Sequence, residues 1–127
     1  MLLLILFVLF YIVLQDSSIK VSSEKLARSY SSDITEANKI LLNKEIKLTG
    51  KVKSFFQFEG KNSLLELESG DDVLKIYCII MNKETESRAE SLTKGTTITI
   101  VGKCIGINPP SMNKFPNVIY IEAEQIK

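Results

Sequence analysis

The chain has 127 residues, with 16 Lys and Arg against 15 Asp and Glu for a formal charge of +1. Less an apolar leader, that leaves one domain of roughly 100 residues with one core, and the near balance of charge excludes a global field that would draw the protein to polyanions. The absence of histidine removes the commonest general base, the Ser/His and Cys/His nucleophile pairs and the most frequent metal ligand, while two cysteines, Cys78 and Cys104, are too few and too far apart for a zinc site.

Met1 to Leu14, MLLLILFVLFYIVL, is an unbroken apolar run. It is shorter than the roughly 20 residues of a comfortable bilayer span and nearer the core of a signal peptide. No Lys or Arg precedes it, and Gln15-Asp16-Ser17-Ser18 lacks the small-x-small pattern of a cleavage site. We read residues 1–16 as an uncleaved anchor or signal segment, with the membrane as partner of residues 1–14. No cysteine follows the run, which excludes a bacterial lipoprotein anchor. Lys20, Lys25 and Arg28 on its carboxyl side favour a cytoplasmic domain by the positive-inside tendency, whereas a start upstream of Met1 would face the domain outward. The extracytoplasmic placement, in the cell envelope, is the one adopted.

Residues 17–22 read as a polar tether, and 23–127 as the domain. Ser23 to Tyr30 and Asp33 to Leu42 read as helices, the second capped by Asp33 with Glu36 three residues on and stopped at Asn43. Leu26, Tyr30 and Ile34 are expected to plug one end of a barrel. Glu45 to Phe58 is a long alternating run, with Ile46, Leu48, Val52 and Phe56 on one face and Lys47, Thr49, Lys51, Lys53 and Phe55 on the other. A strand of that length must bend, and Gly50 is the expected site of a bulge that lets one strand serve two parts of a closed sheet.

Glu59 to Asn62 reads as a turn, Ser63 to Glu68 as a second strand, and Ser69-Gly70-Asp71-Asp72 as a hairpin. Val73 to Ile80 is a third strand with Leu74, Ile76, Cys78 and Ile80 inward. Asn82 to Thr93 loses the alternation and reads as a helix ended by Gly95; Thr96 to Ile107, with Gly102 mid-run, is a fourth strand. A loop holding all three prolines then leads to a fifth strand, Val118 to Ile126. This order gives a mainly β fold, a five-stranded OB-fold Greek-key barrel with N-terminal helices and a helix between strands three and four.

Leu26 with Tyr30, Ala37, the run Lys44-Glu45-Ile46-Lys47-Leu48-Thr49-Gly50-Lys51-Val52, the Tyr77-Cys78 pair, and Leu92-x-x-Gly95-x-x-Ile98-x-x-x-Gly102-Lys103-Cys104-x-Gly106 resemble the tRNA_anti-like family of small bacterial OB proteins. The resemblance covers Val21 to Ile107. It implies a barrel behind an N-terminal signal or anchor, named by analogy to anticodon-binding domains and without an established activity. The chain departs from the family in the long proline-bearing loop from Asn108 to Asn117.

The candidate ligand face comprises Lys51, Lys53 and Phe55 on the first strand, Lys61 in the first loop, Lys75 and Tyr77 on the third strand, and Met112, Lys114 and Phe115 in the proline loop. Cations would follow a phosphate backbone and aromatics would stack on bases. Outward Glu66, Glu68, Glu122 and Glu124 oppose that reading, because they set carboxylates where phosphates would run. Cys78 and Cys104 share the inward parity of their strands, as buried thiols or, in an oxidising compartment, as a disulfide. Asp71 and Asp72 belong to a turn, and no phosphate-cradling glycine loop is present. The reading is a non-enzymatic binding or scaffolding module without cofactor or metal, its partner a protein or small ligand at a membrane surface, with single-stranded nucleic acid as the alternative.

Overall fold

The structure, a computed structural model, describes residues 18–108 and 117–127. The apolar leader and the loop residues Met112, Lys114 and Phe115 lie outside the described residues.

The stretch expected to be a bare tether holds a strand, β1 (Ile19–Ser22), which pairs in parallel with the next strand so that Ile19 meets Ile46 and Ser22 meets Thr49. Ile19 and Val21 pack on the core while Lys20 and Ser22 face out. Four residues show too little alternation to declare a strand by themselves; the pairing supplies what the pattern does not. Ser22 then caps α1 (Ser23–Ser32), its hydroxyl accepting the Lys25 N–H. Asp33 is extended, ends α1, and caps α2 (Ile34–Leu41) by accepting the Glu36 N–H at 3.1 Å. Leu26, Tyr30, Ala37 and Leu41 are buried, but Ile34 is 48% exposed. The extended Asp33 swings the first turn of α2 clear of the barrel, so its apolar face makes contact only from Ala37 onward. Asn43, in the left-handed region at φ 62°, turns the chain, and its N–H reaches the Cys104 carbonyl at 2.7 Å.

β2 (Glu45–Phe56) serves two parts of the sheet. Its first half, Glu45 to Lys51, pairs antiparallel with β5 (Thr97–Ile107), and its second, Val52 to Phe56, with β3 (Leu64–Leu67). The bulge lies at Val52–Ser54 rather than at Gly50. Gly50 instead makes room for a neighbouring element. A Cβ there would come within 2.5 Å of the Ser23 hydroxyl, so glycine lets the start of α1 close on the strand. β3 pairs with β4 (Lys75–Ile80), β4 in parallel with β6 (Val118–Ile126), and β6 with β5, which closes the barrel on β2. Between β4 and β5, α3 (Lys83–Glu90) is capped by Asn82 and tied to β6 by the Thr85 hydroxyl, which donates to the Glu124 carbonyl at 2.9 Å.

The interior is filled by Ile46, Leu48, Leu65, Leu67, Ile76, Ile100, Ile119 and Ile121, all fully buried. Each stabilises by roughly 1.5–3 kcal/mol relative to exposure. Mid-run Gly102 sits at a second bulge, where a Cβ would fall on the Glu122 carbonyl oxygen.

Candidate ligand face

The bulge in β2 decides which aromatic side chains reach the outside. Lys53 is the extra residue, because Val52 faces Leu67 while Ser54 already faces Glu66. One inserted residue reverses the alternation beyond it. Phe55 therefore turns inward and packs on the core, while Phe56 turns outward and is 37% exposed. Both assignments invert the expected ones, in which Phe56 lies inside and Phe55 on the ligand face.

On the outer surface Phe56 lies against Tyr77 of β4, with ring centroids 6.0 Å apart and planes at 57°. Tyr77 in turn meets Tyr120 of β6 edge-to-face at 6.2 Å. Tyr77 and Tyr120 are outward by register yet buried, grouped with Leu64, Ile79 and Val118 in an apolar cluster separate from the interior. Burial raises both phenols above their ordinary range, with the nearby Glu66 charge adding to the effect at Tyr77 and Tyr77 itself adding to it at Tyr120. Access along this line of rings is thus through Phe56; Phe58, 45% exposed, follows in the loop beyond β2.

Charge is arranged around that line. Glu66, expected to repel phosphates, is buried at the foot of the bulge and paired with Lys53, Nζ to Oε2 at 3.5 Å. Lys51, Lys61 and Lys75 are exposed, and among the described residues none of them forms an ion pair. Lys51 lies mid-way along β2, where its pairing passes from β5 to β3, Lys75 at the start of β4, and Lys61 in the β2–β3 loop. Glu122 is half-buried on β6 and flanked by Lys103 of β5. The face so built offers exposed rings bounded by unpaired cations, which can stack on planar groups and hold an anionic or polar chain.

The structure therefore brings Lys51, Lys53, Lys75 and Tyr77 to one face, sets Lys61 in the adjoining loop, and removes Phe55. Phe56 and Tyr120 complete it. Tyr120 was legible from alternation with Ile119 and Ile121; Phe56 was not, since nothing in the sequence marks a bulge at Lys53.

Elsewhere, Asp71 accepts the Leu74 and Val73 N–H groups, which hold its carboxyl below the usual range and fix the hairpin. Both cysteines are free and buried. Among the described residues no group of His, Cys, Asp and Glu side chains is placed to hold a metal, and no helix is long and apolar enough to cross a membrane. A cleft of about 480 Å³ between α1 and α2 is lined by Lys25, Arg28, Asp33 and Glu36, a balanced set of charges away from the aromatic line.

Solved structures similar to this chain share its barrel. A Klebsiella pneumoniae lipoprotein named for nucleic-acid binding aligns with TM-score 0.62 and 12% identity, over 87% of this chain and 92% of its own. The asparaginyl-tRNA synthetases of Entamoeba histolytica (TM-score 0.53, 13% identity, 87% of this chain) and Pyrococcus horikoshii (TM-score 0.51, 17% identity, 69% of this chain) also align. This chain spans only 23% and 19% of those two enzymes. At these identities the likeness is one of fold. No curated protein matches the sequence. A family model does, over residues 3–114, and the chain belongs to the tRNA_anti-like family.

Proposed function

We propose that this protein is a non-enzymatic binding domain, held at a membrane on the extracytoplasmic side by its apolar leader, that takes an extended ligand across the outer face of β2, β3 and β4. The observation that carries this is Phe56. The bulge at Lys53 sets an aromatic ring outside the barrel, against Tyr77, where an apolar side chain gains nothing for the core. Met112, Lys114 and Phe115, in the stretch between β5 and β6, are included in the proposal as a recognition loop.

Single-stranded nucleic acid is the second reading, favoured by the pairing of Glu66 with Lys53. The pair neutralises one of the four carboxylates set against phosphate, and leaves Lys51 and Lys75 to follow a backbone. The similarity in fold to a lipoprotein named for nucleic-acid binding agrees with it.

The test is titration of the full chain, in detergent, with a fluorescent single-stranded oligonucleotide at low and high salt. Salt-sensitive binding that Phe56→Ala and Lys51→Glu/Lys75→Glu each abolish supports the nucleic-acid reading. Absence of binding at low salt ends it and directs the search to protein ligands captured by the same face. Protease treatment of intact cells bearing a tag after Lys127 tests the side of the membrane: loss of the tag supports the outward placement and its survival until lysis refutes it.

A further inference from the structure

The parallel pairing of β1 fixes where the leader meets the barrel. Ile19 lies beside Ile46 at the end where β2 begins, and the β2–β3 loop with Phe58 and Lys61 lies at the opposite end. Only Gln15 to Ser18 separate Leu14 from β1. Four residues, fully extended, reach about 14 Å. Given the membrane reading above, on which this inference rests, the end of the barrel carrying Ile19 is held within that distance of the lipid surface.

That end carries an unusual cross-strand pair. Lys20 and Lys47 are direct partners in the β1–β2 register, and both point outward because Ile19, Val21, Ile46 and Leu48 point in. Like charges set directly opposite are unfavourable, yet among the described residues neither lysine has a carboxylate partner. Exposed Lys44 precedes β2 at the same end. The neighbouring acid, Glu45, is exposed and stands opposite Lys103 in the β2–β5 register.

We propose that Lys20, Lys44 and Lys47 form a docking rim for anionic lipid headgroups, which seats this end of the barrel on the membrane and points the β2–β3 loop away from it. The occupant is the lipid surface, since it is the anion that the short connection brings to these side chains. Anionic headgroups relieve the Lys20–Lys47 repulsion without any change in the fold. The rim also divides the surface by role, with β1 and the start of β2 facing lipid while Phe56 and Phe58 remain open to a ligand.

The experiment is amine footprinting of the full chain reconstituted into vesicles of phosphatidylcholine alone or with phosphatidylglycerol, with labelling of each lysine read by mass spectrometry. Expected is slower labelling of Lys20, Lys44 and Lys47 in the anionic vesicles, about fivefold per lysine, the factor a basic residue contributes beside an anionic surface. Lys61, in the β2–β3 loop, should label equally in both, and high salt should remove the protection. In Lys20→Glu/Lys47→Glu, Lys44 should lose its protection while the melting temperature is retained.

Co-flotation with both kinds of vesicle but equal labelling of the three lysines overturns the rim and leaves the anchor standing. Salt-sensitive flotation and protection with anionic vesicles alone supports the rim and overturns the anchor. Flotation with neither overturns both.

Discussion

Cys78 and Cys104 both lie opposite Ile121, one on each side of β6. A whole strand therefore separates them, which puts their Cα atoms about 9–10 Å apart at the usual interstrand spacing. A disulfide needs less than about 7 Å. The alternative of a bridge between them would require β6 to leave the sheet. Burial drives the Cys78 thiol far above its ordinary range, and Cys104 is raised by burial although the Tyr30 hydroxyl and Gly106 N–H partly offset this. We predict that neither thiol reacts with an aromatic disulfide reagent within the time in which the denatured chain reacts fully, and that mobility on gels is the same with and without reductant. A cross-linked native species would contradict the strand order itself.

Phe55→Ala and Phe56→Ala separate core from face. Phe55 is partly buried against the interior, so its truncation should cost about 2–3 kcal/mol, below the 3–5 kcal/mol of a fully enclosed ring. Phe56 leaves only its contact with Tyr77, and its truncation should cost about 1 kcal/mol. Urea unfolding measures both. Equal costs, or the reverse order, would mean that alternation runs unbroken through Lys53.

These two residues also mark how far the sequence could be read. Element order, the Asp33 cap, the inward faces of β3, β4 and β6, and closure into a barrel follow from patterns local to each segment. A bulge does not: the extra residue is set by which partners β3 offers, so Lys53 looks like any other alternating position. The same holds for β1, four residues whose strand character comes from Ile46 to Thr49. Buried Tyr77 and Tyr120 on the outer face defeat the rule that outward parity means exposure.

Glu66 and Lys53 form an asymmetric pair, with the carboxylate side chain 5% exposed and the ammonium 50%. Lys53→Met leaves a buried charge without its cation and should destabilise by about 1–3 kcal/mol. Glu66→Gln removes the charge that needs compensating and should cost less, and the double variant should recover much of the loss of Lys53→Met. Strict additivity of the two changes would show that the pair contributes nothing as a pair.

Gly102→Ala should be worse than Gly60→Ala. At Gly102 the added methyl meets the Glu122 carbonyl, a backbone atom in a bulge that cannot move alone. Gly60 has open space around it and a φ of 71°, so alanine there carries only the left-handed strain of about 1–2 kcal/mol. Thermal melts should rank parent above Gly60→Ala, and Gly60→Ala above Gly102→Ala, with the last at or beyond the 1–3 kcal/mol of an overpacked site.

Tyr30 is one of the buried groups that set the fold's alkaline limit. Its hydroxyl donates to Asn38 Oδ1 at 2.9 Å and lies 3.6 Å from Cys104 Sγ, so α1, α2 and β5 meet at one phenol. Burial is the main cause of its raised pKa, and the Cys104 contact adds to it. Below about pH 8.5 the buried thiols and phenols are neutral in both the folded and the unfolded chain, and the stability is fully present. Above that the unfolded chain releases protons first, thiols and then phenols at about pH 10, while the folded chain keeps them, so stability falls as pH rises. Tyr30→Phe should lower stability by about 0.5–1.5 kcal/mol at neutral pH through the lost hydroxyl bond. It should also flatten the decline above about pH 10, because one raised phenol no longer titrates; Cys78, Cys104, Tyr77 and Tyr120, also raised, account for the slope that remains. The measurement is a set of urea unfolding curves from neutral pH upward for parent and variant. Curves that stay parallel at every pH would show that the Tyr30 phenol ionises as easily in the fold as out of it.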